Sequence, residues 1–153
     1  MKKTGTELLR FYVDTSVLVA AHTREPHTAV AQAWLAAQGG GRLLLSMWTL
    51  LECDSALAIK RRRGELTAAA HAAAVKEIDA FSRHFAPLTV PTEGDHQRAR
   101  ELCRHAVSKL RAGDALHLAI ALRLGAKGFA TLDDVLASNA SAHGLVMMSA
   151  MSC

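Results

Sequence analysis

At 153 residues, 50% of them apolar, the chain has the length of one compact domain and the material for a real core, which excludes a disordered protein. Asp14 cuts short the first apolar run, and Glu52 and Asp54 interrupt the stretch from Leu43 to Ile59, so neither a secretory leader nor a membrane span is expected. A net charge of +4 is compatible with a polyanionic partner and too mild to require one.

Ala and Leu dominate and aromatic residues make up only 5%, which favours closely packed helices. Phe11-Tyr12-Val13 predicts a short, buried first strand. It ends at Asp14-Thr15-Ser16, and a helix follows through Val17 to Ala21. Pro26 suits the start of a second helix reaching about Gln38, where Gly39-Gly40-Gly41 stops it. Leu43-Leu44-Leu45 predicts a second strand, and a long helix covers roughly Trp48 to Arg63, closed by Gly64. Thr67 to His84 carries Val75, Ile78 and Phe81 at helical spacing. Pro87 to Val90 predicts a third strand, and Pro91-Thr92 turns into a helix reaching about Val107. Gly113-Asp114 opens a helix over Ala115 to Leu124, closed by Gly125. Lys127 to Ala130 is a fourth strand, Asp133 to His143 a helix, and Leu145 to Met148 a fifth strand.

Strand runs separated by helices predict an α/β domain with a mainly parallel central sheet of about five strands flanked by helices. No repeat or low-complexity linker divides the chain, so residues 1–153 read as a single domain. Residues 1–9 are a short extension before the first strand, and 149–153 are expected to form a flexible tail. Cys53, Cys103 and Cys153 are scattered without a CxxC pair, which points to reduced thiols in a cytoplasmic protein. Trp34 and Trp48 read as core residues. The dense run Lys60-Arg61-Arg62-Arg63 and the looser set Arg98, Arg100, Arg104, Lys109 and Arg111 each have a plain reading as solvated helix ends.

Ligands of open parallel sheets bind beyond the carboxyl ends of the strands. Asp14 ends the first predicted strand, and Asp133 lies just past the fourth. Asp114 opens a helix, and Glu52 lies one turn inside the helix after the second strand. Each has a structural alternative. Asp14, Thr15 or Ser16 caps the first helix, Asp114 caps another, and Thr131 with Asp134 has capping-box spacing that leaves Asp133 in an exposed first turn. Glu52 is harder to set aside, because Leu50-Leu51-Glu52-Cys53 surrounds a carboxylate with apolar side chains. If the acids converge they need a counter-charge, since two carboxylates about 4 Å apart repel by roughly 4 kcal/mol at an effective dielectric near 20. All-oxygen ligation suits Mg²⁺ or Mn²⁺ rather than zinc. Acids, a hard cation and basic surroundings together describe a phosphodiester hydrolase working through metal-activated water.

Four segments give the sequence a resemblance to the PIN-domain family, and within it to the VapC-type toxins of bacterial toxin–antitoxin pairs. They are Phe11-Tyr12-Val13-Asp14-Thr15-Ser16-Val17-Leu18, Leu45-Ser46-Met47-Trp48-Thr49-Leu50-Leu51-Glu52, Ala112-Gly113-Asp114-Ala115-Leu116-His117-Leu118-Ala119, and Thr131-Leu132-Asp133 with Gly144-Leu145-Val146 downstream. The third is the most specific, and their order suits the family from about Phe11 to Met148. The resemblance implies a parallel sheet flanked by helices, a divalent-metal site and endonucleolytic cleavage of RNA. It implies that Asp14 and Asp114 approach the metal most directly, that Glu52 acts through water, and that Asp133, or its neighbour Asp134, is the fourth acid. Thr15, Ser16 and Thr131 match supporting polar positions, while His117 reads as a packed helix histidine. An antitoxin that blocks the site and a homodimer are also implied. Lys60, Arg61, Arg62 and Arg63 are then the expected contacts to the RNA backbone. Three rival readings share these residues: a housekeeping PIN nuclease of RNA processing, a catalytically silent RNA- or protein-binding module, and an aspartate-based phosphotransferase of the haloacid-dehalogenase type. The last usually carries a second aspartate where this chain has Ser16.

Overall fold

The computed structural model describes residues 8–85 and 87–149. Most of the expected N-terminal extension and C-terminal tail, with Cys153, lies outside them. Along the chain run β1 (Phe11–Val13), α1 (Thr15–His22), α2 (Thr28–Ala37), β2 (Leu43–Leu44), α3 (Met47–Arg62), α4 (Ala68–Ser82), α5 (Glu93–Arg104), α6 (Ala112–Arg123), β3 (Gly128–Ala130), α7 (Asp134–Ala142) and β4 (Val146–Met147). The strands form one four-stranded sheet among the described residues, in the order β2-β1-β3-β4, with every pairing parallel.

The expected third strand, at Pro87 to Val90, shrinks to a single parallel bridge between Ser46 and Thr89. Pro87 and Pro91 bracket that segment and have no N–H to give a ladder, so pairing ends after one bridge. The helix expected to reach Val107 stops at Arg104, and a 3-10 turn over Ala106–Ser108 follows.

Side chains of successive strand residues point to opposite faces, and in β1 this alternation divides the core in two. Phe11 and Val13 join the cluster formed with α1, α2, α3 and α4, including Val17, Trp34, Leu57 and Ile78. Tyr12 joins the cluster formed with α5, α6 and α7, including Leu102, Leu118, Phe129 and Leu136. Both faces of the sheet are therefore covered, as parallel sheets require. On the second side, Arg123 of α6 grips the buried Asp95 of α5 through two hydrogen bonds of 2.7 and 2.8 Å. Asp95 also closes a capping box with Thr92, which fixes where α5 begins. No helix among the described residues is long and apolar enough to cross a membrane.

β3 lies beside β1 in the register Phe11↔Gly128, Tyr12↔Phe129, Val13↔Ala130, which brings Ala130 and Thr131 level with the end of β1. Gly128 makes this closeness feasible, because a Cβ there would collide with the ring of Phe11. That ring cannot swing away freely, since it is held edge-on against Trp34 at 5.2 Å. Gly128→Ala is therefore expected to destabilise the protein by about 1–3 kcal/mol. Urea unfolding measures this, and an unchanged midpoint would contradict the packing described.

Candidate active site

The carboxyl end of β1 and the helix starts around it form one acidic cleft of about 440 Å³ whose walls include Asp14, Glu52, Asp114, His117 and Asp133. Asp14 is 4% exposed, and both its carboxylate oxygens accept hydrogen bonds. Its Oδ1 accepts from the Ser16 N–H at 3.0 Å, the Ser16 hydroxyl at 2.6 Å and the Val17 N–H at 3.4 Å. Its Oδ2 accepts from the Thr131 hydroxyl at 2.6 Å. Asp14 thus caps α1 from inside the cleft. Burial pushes its carboxyl above the usual range, and His117 with the Ser16, Thr131 and Val17 donors offsets only part of that.

Ser16 and Thr131 also hold the opposite rim. The Leu132 N–H donates to Ser16 Oγ at 2.8 Å, and the Asp133 N–H donates to Thr131 Oγ1 at 3.0 Å. Thr131 and Asp134 do not form the capping box that their spacing offers as an alternative. Asp133 is the cap of α7, accepting from the Leu136 N–H at 2.7 Å, because Thr131 is already committed to Asp14. Asp133 lines the cleft and Asp134 does not.

Asp114 is not a helix cap either. α6 starts at Ala112 with Arg111 in the capping position, so Asp114 falls in the first turn and faces the cleft. Its carboxyl is pushed up first by burial, then by the charges of Asp133 and Glu52, with a smaller push from Asp14 and partial relief from His117. α6 approaches α3 closely at this point. A Cβ on Gly113 would stand 2.5 Å from Glu52 Oε1 and 3.5 Å from the Trp48 ring, so any larger residue would have to displace the Glu52 carboxylate. The indole of Trp48 donates to the Gly113 carbonyl at 3.2 Å, and Trp48 is half-buried beside this contact rather than a full core residue.

Glu52 has a partner that local sequence does not announce. His117 Nε2 lies 2.6 Å from Glu52 Oε2, and the Thr15 hydroxyl donates to the same oxygen at 3.0 Å. The far side of the imidazole, Nδ1, is 2.9 Å from the hydroxyl of Tyr12, which in turn reaches Ser46 at 2.7 Å. Burial raises the Glu52 carboxyl, but the bond and charge of His117, with Thr15, outweigh it and hold the group below the usual range. His117 is packed, as expected, at 1% exposed, yet both its nitrogens are hydrogen-bonded and one supports a cleft acid. Its partners Tyr12 and Glu52 stand 105 and 65 positions away, so only the placement of Asp114 and His117 three residues apart on one helix face hinted at it.

Of the basic run, Lys60 lines the acidic cleft but is bound to Glu25 at 2.9 Å and Glu65 at 3.2 Å. Arg61 reaches the Leu66 carbonyl, and Arg61, Arg62 and Arg63 are exposed beyond the cleft.

This chain belongs to the PIN domain family, whose model matches residues 11–141. Among solved structures it is similar to FitAcB from Neisseria gonorrhoeae, with a TM-score of 0.70 and 17% identity over 94% of this chain and 99% of that one. The Mycobacterium tuberculosis toxin VapC20, described as cleaving the sarcin-ricin loop, aligns with a TM-score of 0.66 and 22% identity over 89% of this chain and 96% of that one. PAE2754 from Pyrobaculum aerophilum aligns with a TM-score of 0.62 and 22% identity over 95% of this chain and 88% of that one. At such identities the likeness is one of fold. No curated protein matches the sequence significantly.

The raised Asp114 carboxyl has a consequence for stability. An acid whose pKa is higher folded than unfolded loses stability as pH rises through that interval, so ionised Asp114 burdens the native state at neutral pH. Asp114→Asn is expected to raise the melting temperature in EDTA at pH 7 while leaving the helix content unchanged. A lower melting temperature would show that the carboxylate is a net structural support.

Proposed function

We propose that the chain is a divalent-metal-dependent endoribonuclease, acting as the toxin of a toxin–antitoxin pair. The observation that carries this reading is the acidic cleft at the ends of β1 and β3, where Asp14, Glu52, Asp114 and Asp133 arrive from separate elements. The oxygen-only donor set suits Mg²⁺ or Mn²⁺. Among the described residues no three His, Cys, Asp or Glu side chains already form a cage for an ion. The upward push on Asp114 from its neighbours is the electrostatic signature of a site that a counter-charge would relieve.

When bound, the cation supplies positive charge at the phosphate oxygens and activation of water as a nucleophile. Asp14 and Asp114 are the residues that would hold it, with Asp133 beside them and Glu52 acting through water. Ser16 and Thr131 fix the Asp14 carboxylate by bonds to both of its oxygens. His117 and Thr15 keep Glu52 ionised and aimed into the cleft. The free thiols Cys53 and Cys103 suit action in the cytoplasm. An antitoxin partner is supported by the shared fold with VapC20 and FitAcB. A homodimer is supported by the apolar Met47 and Leu51, 47% and 60% exposed one turn apart on α3.

The test is cleavage of total cellular RNA by the purified chain with Mg²⁺ or Mn²⁺ and with EDTA. Discrete metal-dependent cuts are expected, reduced at least about a hundredfold in Asp14→Asn and Asp114→Asn, the size of effect typical for losing a preorganised electrostatic group. RNA binding without cleavage would instead favour a silent binding module. Cleavage without growth arrest on expression would favour a housekeeping nuclease.

A further inference from the structure

A second cleft, about 700 Å³ in volume, opens on the other side of the acids and shares Glu52, Asp114 and Asp133 with the first. Its remaining wall is Lys109, Arg111, Gly113 and Val135. The acids therefore form a ridge between two troughs, and the far trough carries two cations. Neither of those side chains has an ion-pair or hydrogen-bond partner among the described residues, although both are exposed on the wall of a cleft with three carboxylates. On the near side Lys60 is occupied by Glu25 and Glu65.

The loop that carries Lys109 and Arg111 is fixed rather than slack. Leu110 between them is buried at 9% and donates its N–H to Ser108 Oγ at 3.3 Å. Ser108 in turn donates to the Leu102 carbonyl at 3.2 Å, and Asn139 of α7 donates to the Ser108 carbonyl at 2.8 Å. With Leu110 anchored inward, its two neighbours project outward. Lys109 sits in the left-handed region at φ 56°, the only non-glycine residue to do so among the described residues. Such a conformation costs about 1 kcal/mol or more in a residue with a Cβ and persists where the surroundings impose it.

A cation on the acids would answer their charge at the scissile phosphate, but the phosphates beside it still pass along the carboxylates, and a neighbouring cationic grip would seat them. We propose that the Lys109–Arg111 trough is the subsite that holds the backbone of single-stranded RNA next to the scissile phosphate. This rests on the nuclease reading, and it moves the main backbone contact from the Lys60–Arg63 helix end to the loop before α6. The strand then crosses the ridge between the two troughs, with its phosphates gripped on the Lys109 and Arg111 side.

The experiment compares binding of a fluorescent single-stranded RNA oligonucleotide, and its cleavage, across variants of the full chain. Lys109→Gln with Arg111→Gln is expected to weaken binding roughly tenfold near 0.1 M salt and to lower the salt slope by about 1.4, at roughly 0.7 for each phosphate of a single strand that goes unneutralised. KM rises by a similar factor while kcat stays within about twofold. The pair Lys76→Gln with Arg83→Gln removes the same charge from residues lining neither trough and is expected to change binding less than twofold. Lys109→Arg with Arg111→Lys keeps the charges and is expected to retain binding, which separates loss of the phosphate grip from loss of folding. Unchanged KM in the Lys109/Arg111 double variant of an active enzyme overturns the subsite and leaves the nuclease reading intact. A larger loss from Arg61→Gln with Arg62→Gln returns the backbone grip to the helix end and also overturns it. A wild type that neither binds nor cuts RNA removes the nuclease reading, and this inference with it.

Discussion

The carboxylate of Asp14 gathers three segments of the chain onto one point at the end of the central strand. One oxygen takes the backbone and hydroxyl of Ser16 and so starts α1, while the other takes the hydroxyl of Thr131 beyond β3. Thr131 then receives the N–H of Asp133, and Ser16 receives that of Leu132, so the turn into α7 is set by the same carboxylate. The parallel register of β1 and β3 makes this reach short, and Gly128 allows the strands to sit that close. The position of Asp133 thus follows from the bonds of Asp14.

That arrangement gathers negative charge of which only part serves the fold: Asp14 and Asp133 cap helices, whereas Asp114 caps none. Burial works against ionised Asp14 and Asp114, and the neighbouring acids add to the burden on Asp114. Glu52 escapes because His117 and Thr15 support it, and His117 is itself held by Tyr12 from the strand interior. A protein selected for stability alone would not keep such a group of carboxylates, and stability given up at a site is a common mark of function. A cation over the ridge and cations along its flank would relieve the same repulsion, which is why the acids and the Lys109–Arg111 loop read as parts of one surface.

Much of this was legible in the sequence, because strand and helix periods and end signals are local. Phe11 to Val13, the helix closed by Gly64 and the strand before Thr131 all lie where their residues point. The cleft lining, too, contains each of the acids singled out from strand ends and helix starts. Local rules misled where tertiary partners compete with them, in two of the structural alternatives and in one expected strand. Thr131 has the residue type and spacing of a cap, but Asp14 claims its hydroxyl and the cap passes to Asp133. Asp114 looks like a cap, but α6 begins two residues earlier, where Gly113 lets it press against Glu52 and Trp48. Pro87 to Val90 has strand composition, yet its edge position and flanking prolines leave it one bridge. The bonds of His117 depend on residues far away in sequence, so no window of sequence displays them.

The central claim is that the acid ridge is a divalent-cation site, and thermal unfolding of the intact chain across a Mn²⁺ series tests it most directly. A cation bound only by the folded state adds about 2.7 kcal/mol at a hundredfold excess over its Kd, or roughly 5–10 °C for a domain of this size. The account predicts a saturable rise of that order in the wild type and none in Asp14→Asn. A wild type whose melting temperature ignores Mn²⁺, or an Asp14→Asn protein that gains as much, would contradict it.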